Sequence, residues 1–229
     1  MERAVARIDL GAIERNCARL KAELGAESEL CAVVKADGYG HGADACATAA
    51  LAGGATRLAV ATGSEAALIG RRFPQVPLLA MGALTAGDLE DALAAGAEVA
   101  VWREGFRAFA SARGRAQGRR VGVHVKFDSG MGRLGNPDEG EALALARACA
   151  EDPHLDLAGI WTHFATADEP DSDFFDRQLE RFAAIAAGIK AEFPEAIAHA
   201  ANSAAVFRDR RSHFDMARCG VAVDRKSVV

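Results

Sequence analysis

The chemistry in this sequence gathers first around one lysine. Ala32-Val33-Val34 is a short apolar run that ends in Lys35, and Ala36-Asp37-Gly38-Tyr39-Gly40-His41-Gly42 follows, with three glycines before an alanine-rich helical pattern. An amine at the mouth of a buried strand is poorly hydrated, and poor hydration favours the neutral, nucleophilic form. Such an amine suits covalent chemistry with an aldehyde cofactor. The glycines allow backbone to approach a bound group closely, and the start of the next helix attracts phosphate. The same pattern also describes an ordinary strand-to-helix turn with a surface lysine.

Four more clusters lie at comparable places. Lys126-Phe127-Asp128-Ser129-Gly130-Met131-Gly132-Arg133-Leu134-Gly135 holds three glycines and two cations in ten residues, which suits an anion-facing loop or a merely flexible one. Thr162-His163-Phe164-Ala165 closes an apolar run with a histidine. No second His, Cys or carboxylate sits beside His163 at ligand spacing, so no metal site is expected. Asn202-Ser203 opens a short helical pattern, where the Ser203 hydroxyl is either an N-cap or, with nearby N–H groups, part of a phosphate site. Arg218-Cys219-Gly220-Val221 closes the last short apolar run.

The elements that must position these clusters alternate. Strands are expected at Leu30–Val34, Arg57–Ala61, Pro77–Ala80, Glu98–Val101, Val121–Lys126, Leu155–Trp161, Ile197–His199 and Phe214–Ala217. A helical pattern follows each of the first seven, with Ser64 and Thr85 as candidate caps. A short strand at Ala4–Asp9 and a helix over Leu10–Leu24 precede them. Eight strand–helix units predict a closed (β/α)8 TIM-type barrel, whose chemistry sits at the C-terminal ends of its strands. The alternative, an open doubly wound sheet, usually carries a GxGxxG loop after its first strand, and none is present.

Composition narrows the class further. The chain has 229 residues, half of them hydrophobic, with a net charge of −5 and no basic block. Nucleic acid and anionic membrane are therefore not expected as partners. No apolar run is long enough to span a bilayer, and the N-terminus lacks the apolar core of a signal peptide. Five scattered cysteines without a CxxC pair fit reduced thiols, so a cytoplasmic location is expected.

The stretch Val33–Gly42 resembles the cofactor-lysine motif of alanine racemases, pyridoxal 5'-phosphate (PLP) enzymes that interconvert L- and D-alanine. Lys126–Gly135 is similar to that family's Lys-x-Asp-Thr-Gly-Met-Gly-Arg-Leu-Gly, with Ser129 for the usual Thr. Thr162–Ala165, Asn202-Ser203 and Arg218–Val221 resemble further family segments, and the likeness runs from about Arg7 to Val223. The resemblance implies that Lys35 holds PLP as a Schiff base and is the base for D-alanine. It implies that Arg133 meets the cofactor's phenolic oxygen, that Lys126 is carbamylated and orients Arg133, and that His163 packs on the pyridine ring. It puts Tyr39, Asn202, Ser203, Gly220 and Val221 around the phosphate, and Arg218 against the pyridine nitrogen. A cation there disfavours protonation of the ring and weakens it as an electron sink. A homodimer, an alanine substrate and D-alanine supply for peptidoglycan are implied as well.

Residues 1–223 are thus expected to be the family's N-terminal barrel, without a final helix or the β-rich C-terminal domain. Asp224–Val229 matches nothing in the family, reads as the translation of a common sequencing-adapter DNA, and is expected to be a non-native tail. In the family the second catalytic base is a tyrosine of the partner's β-domain, whereas Tyr39 is the single tyrosine here. The 229-residue polypeptide is therefore expected to bind PLP and to racemise alanine poorly. Loss of the eighth helix is expected to expose apolar surface. Three other readings are a PLP-binding homeostasis barrel, a barrel racemase for serine or another amino acid, and a non-enzymatic βα scaffold.

Overall fold

A computed structural model describes residues 7–224. Eight parallel strands close into a barrel in chain order: β1 (Glu29–Val33), β2 (Arg57–Val60), β3 (Leu78–Ala80), β4 (Glu98–Val101), β5 (Val121–Lys126), β6 (Leu155–Trp161), β7 (Ile197–His199) and β8 (Met216–Cys219). The chain enters through α1 (Leu10–Leu24). After β1 come α2 (Lys35–Gly40) and α3 (Ala43–Ala52). The next six strands are followed by α4 (Gly63–Arg72), α5 (Ala86–Ala94), α6 (Glu104–Ala116), α7 (Glu139–Glu151), α8 (Phe174–Glu192) and α9 (Ser203–Arg208). A short α10 (Val221–Asp224) follows β8.

Helix starts follow from local side chains. Asp9 Oδ1 accepts from Ala12 N–H, and Thr62 and Thr85 form capping boxes with Glu65 and Asp88. Thr62, not Ser64, caps α4, because the reciprocal Glu65 bond to the Thr62 N–H fixes the register. The expected strand at Ala4–Asp9 falls largely outside the described residues, and Arg7–Asp9 is not strand. The last strand lies two residues beyond its expected position. Phe214 adopts φ 49°, its ring packs edge-on against Phe182, and pairing begins only at Met216.

The final helix expected to be absent is represented only by the four residues of α10. Helix α1 packs along β1, α3 and α10 and so occupies the ring position after β8. Asn16 Nδ2 donates to the Val223 carbonyl at 3.2 Å, and Ile13, Cys17, Leu20 and Leu24 are buried beneath. Among the described residues the exposed large hydrophobics are Ile8, Leu10, Leu68, Phe207 and Val221, of which Leu10 lies on α1, Phe207 on α9 and Val221 on α10.

The barrel interior is divided. Cys31, Val33, Ala59, Leu79 and Met216, from β1, β2, β3 and β8, form an apolar cluster. Towards β4–β8 the interior holds Glu98, His124, Lys126, Trp161, His199 and Arg218. Room for these larger polar groups comes from Gly122 and Gly159. A Cβ on Gly159 would lie 2.5 Å from both His124 Nδ1 and the Ile197 carbonyl oxygen, and one on Gly122 would lie 2.9 Å from Glu98 Cγ.

Candidate active site

Lys35 leaves β1 half-buried and faces a cavity of about 1330 Å³ at the C-terminal mouth of the barrel. Behind it the backbone makes a left-handed turn: Ala36, Asp37, Gly38 and Tyr39 all have φ between 50° and 62°. For the non-glycine residues this costs roughly 1–2 kcal/mol each, so the turn persists only because bonds around it hold it. Ala36 N–H donates to Glu65 Oε1 at 2.7 Å, and Gly38 N–H to the Val34 carbonyl at 2.9 Å. The turn swings Tyr39 back to the cavity, where its hydroxyl sits against Gly220 so closely that no Cβ would fit there.

The start of α3 is not an anion site. Asp37 Oδ1 accepts from Ala43 N–H at 2.8 Å, and residues 40–43 do not line the cavity. The available amides lie instead across the mouth. Gly220 and Ala222 N–H both donate to Ser203 Oγ, at 3.2 and 3.1 Å. Ser203, Gly220, Val221 and Tyr39 thus share one wall. Asn202 lines the cavity as well, but its amide is engaged in the fold: Oδ1 caps α9 through Ala205 N–H, and Nδ2 reaches the Phe164 carbonyl.

Arg218 is buried beneath this wall. It donates to His199 Nδ1 at 2.7 Å, to the carbonyls of Thr162 and Ala200, and approaches His163 Nδ1 at 3.4 Å. Burial lowers its pKa to about 10, which leaves it a cation at neutral pH. Burial first, then the Arg218 charge, hold His163 well below its ordinary value and therefore neutral. Lys126 sits 3.9 Å above the Trp161 ring, and the Arg218 guanidinium lies 4.7 Å from the same ring. Burial, followed by Arg218, lowers Lys126 to about 7.

Arg133 reaches the cavity from the loop after β5 and is exposed. That loop is fixed by Asp128, which accepts from Gly130 and Gly132 N–H. Its other anchor is Gln178 of α8, fully buried, which donates to Ser129 Oγ and the His163 carbonyl and accepts from Ala165 N–H. One side chain therefore ties the Arg133 loop to the His163 loop. Ser129 Oγ also meets Thr162 Oγ1 at 2.8 Å, so a serine serves where a threonine is usual.

The structure brings Lys35, Tyr39, Lys126, Arg133, His163, Asn202, Ser203, Arg218, Gly220 and Val221 to one cavity. Sequence reasoning missed Trp161, Gln178, His124 and His199. Each carried a signal: His124 and Lys126 share strand parity, Trp161 and His199 are the last residues of their strands, and Gln178 is a polar residue on the apolar face of α8.

The donor set fits PLP. The cavity offers an amine, amides and hydroxyls for a phosphate, and cations for ring oxygens and nitrogen, with Asp168 its one carboxylate among the described residues. Trp161 Nε1 is a buried donor there with no partner. Fold and site thus define a (β/α)8 barrel built around a strand-end lysine and an anion cradle. A family model described as alanine racemase, N-terminal domain, matches residues 8–223. The alanine racemase of Symbiobacterium thermophilum is 41% identical over 219 residues, covering 95% of this chain and 58% of that protein. That of Geobacillus stearothermophilus is 39% identical over 220 residues, covering 95% and 55%. The crystal structure of alanine racemase from D-cycloserine-producing Streptomyces lavendulae superposes with a TM-score of 0.87 at 35% identity, covering 94% of this chain and 57% of that one. The Clostridium difficile alanine racemase in complex with cycloserine gives 0.90 at 28% identity, covering 97% and 61%. The chain belongs to the alanine racemase family and corresponds to its N-terminal domain. It spans a little under three-fifths of the curated relatives it matches.

Proposed function

We propose that this chain binds PLP through Lys35 and provides the catalytic barrel for racemisation of alanine. The observation that carries the reading is that Lys35 lines one cavity together with Tyr39, Ser203 and Gly220, with Arg218 buried in its wall. PLP supplies an electron sink that acidifies the α-proton of an amino acid joined to it.

The chain's own groups do the rest. The Lys35 amine holds the cofactor and, once released, takes or returns the α-proton on its face of the substrate. Ser203 Oγ, Tyr39 Oη and the Gly220 and Val221 amides hold the phosphate, beside the Gly220 and Ala222 N–H groups that now donate to Ser203. Arg218 stays charged and places no labile proton at the ring nitrogen, which limits how far the sink draws charge and favours proton return over side reactions. Lys126, with its pKa near 7, is substantially neutral at physiological pH and able to add CO2, and the resulting carbamate would pair with Arg133.

The test is titration of PLP into the 229-residue chain and into Lys35→Ala. The visible absorbance of lysine-linked PLP is expected only with the lysine. Equal bands in both would remove Lys35 from this role. Exchange of the α-proton of alanine in D2O, compared with serine, reads the substrate.

A further inference from the structure

A buried polar line leaves the site and runs down the barrel axis. Arg218 Nη1 donates to His199 Nδ1 at 2.7 Å; His199 Nε2 meets His124 Nδ1 at 2.9 Å; His124 Nε2 meets Glu98 Oε2 at 2.8 Å. The same Glu98 oxygen accepts from Arg57 Nη1 at 3.0 Å, and Arg57 Nε bonds Glu29 at 2.8 Å. Glu98, Arg57 and Glu29 are the first residues of β4, β2 and β1, so the line ends at the N-terminal mouth, opposite the cavity.

Donors and acceptors along the line permit one arrangement. Arg218 can only donate, so His199 Nδ1 must accept and His199 carries its proton on Nε2. That proton goes to His124 Nδ1, which must accept, so His124 carries its proton on Nε2 and gives it to Glu98. A doubly protonated His124 would force His199 to protonate Nδ1 against the Arg218 donor. Both rings are therefore neutral, and every bond from Arg218 to Glu98 points away from the site. Burial, then the Arg218 charge, also hold His199 well below its ordinary pKa. Burial opposes ionisation of Glu98, but the His124 bond and Arg57 outweigh it and keep it a carboxylate.

Among the described residues Arg218 touches no carboxylate; its acceptors are carbonyls and imidazoles. A buried cation with neutral partners is costly, and aligned hydrogen bonds strengthen one another. Space for the line is provided by Gly159 and Gly122, and by the register shift in β5–β6 pairing between Val123 and His124.

We propose that Glu98, at the far mouth of the barrel, is a positioning residue for Arg218, acting through His124 and His199 held as Nε2–H tautomers. The proposal rests on the reading that Arg218 faces the cofactor ring. The first test needs no cofactor: long-range 1H–15N spectra of the 229-residue chain labelled at histidine. Both rings are expected to show a protonated Nε2 and a bare Nδ1. An Nδ1–H tautomer or a doubly protonated ring at either position overturns the proposal. Glu98→Leu removes the acceptor, and His124 is then expected to lose its single tautomer, His199 signals to shift, and the PLP dissociation constant to rise about tenfold, as when a group orienting a ligand-bearing side chain is lost. Glu98→Gln retains an acceptor and should stay within about twofold of wild type. Wild-type tautomers and wild-type PLP affinity in Glu98→Leu would overturn the proposal. Should that variant fail to fold, the wild-type spectrum and Glu98→Gln still decide. PLP binding by Lys35→Ala would sink the cofactor reading while leaving the tautomer result to judge the line.

Discussion

Lys126 should make stability depend on pH in a way that one substitution removes. Burial takes it from an ordinary 10.5 to about 7. Below pH 7 the folded and unfolded chains both carry the proton, and the cost of burying the cation is present in full. Between pH 7 and 10.5 the folded chain has released the proton and the unfolded chain has not, so stability rises with pH. Each pH unit is worth up to about 1.4 kcal/mol, and the whole interval on the order of 5 kcal/mol. Lys126→Met keeps the volume and the Trp161 contact and abolishes the titration. Urea unfolding of both chains from pH 6 to 9 in CO2-free buffer measures the difference. Lys126→Met is expected to be the more stable at pH 6, with its advantage shrinking by about 1 kcal/mol per unit above pH 7. Bicarbonate at pH 8 should then stabilise wild type alone, because carbamylation draws on the neutral amine of the folded chain. A stability difference that stays constant over that range would refute the argument.

Other perturbations test other parts of the site. Ser203→Ala leaves the Gly220 and Ala222 N–H groups without their common acceptor and removes the proposed phosphate ligand, so PLP should bind about tenfold more weakly, read by absorbance titration. Unchanged affinity would place the phosphate elsewhere. Gly159→Ala puts a methyl 2.5 Å from His124 Nδ1 and the Ile197 carbonyl and should cost about 1–3 kcal/mol in urea unfolding. A cost under about 0.5 kcal/mol would mean that the barrel yields there easily. Ala36→Gly relieves a left-handed residue at φ 50° on an exposed turn, and a gain of about 0.5–1 kcal/mol is expected. A loss would show that this turn is not strained at Ala36.

The barrel was legible because strands buried on both faces read as short apolar runs, and Pro, Gly and Thr punctuate the helices between them. The lysine, arginine, histidine and serine of the cavity were legible for a related reason: a charged residue at the end of such a run has little to do but face the barrel mouth. What escaped was whatever depends on geometry between strands. Nothing in Phe214-Asp215-Met216 announces the φ of 49° that delays β8 by two residues. The three glycines after Lys35 suggested an open phosphate loop, but Ala36, Asp37 and Tyr39 turn left-handed with them and Asp37 closes the start of α3. The α1 helix could be read from its period, yet its place in the ring after β8 follows only from closure of the barrel. The interior line was half visible: His124 lies two residues before Lys126 and so faces the same way, but Glu98 reads from sequence as an ordinary charged residue at a strand start.

The division of the barrel interior explains how two buried cations coexist on one indole. Lys126 and Arg218 lie 3.9 and 4.7 Å from the Trp161 ring, and after burial the Arg218 charge is what lowers the affinity of Lys126 for its proton. One of them must yield. The guanidinium starts from a far higher ordinary pKa, is delocalised and more weakly hydrated, and has four acceptors around it, ending in the line to Glu98. The ammonium has the ring and little else, so it yields first, near pH 7 rather than 10. Around Trp161 the cavity therefore keeps Arg218 as a fixed cation and Lys126 as an amine free to react. An interior filled throughout like the Cys31, Val33, Ala59, Leu79 and Met216 cluster would be easier to bury but could provide neither.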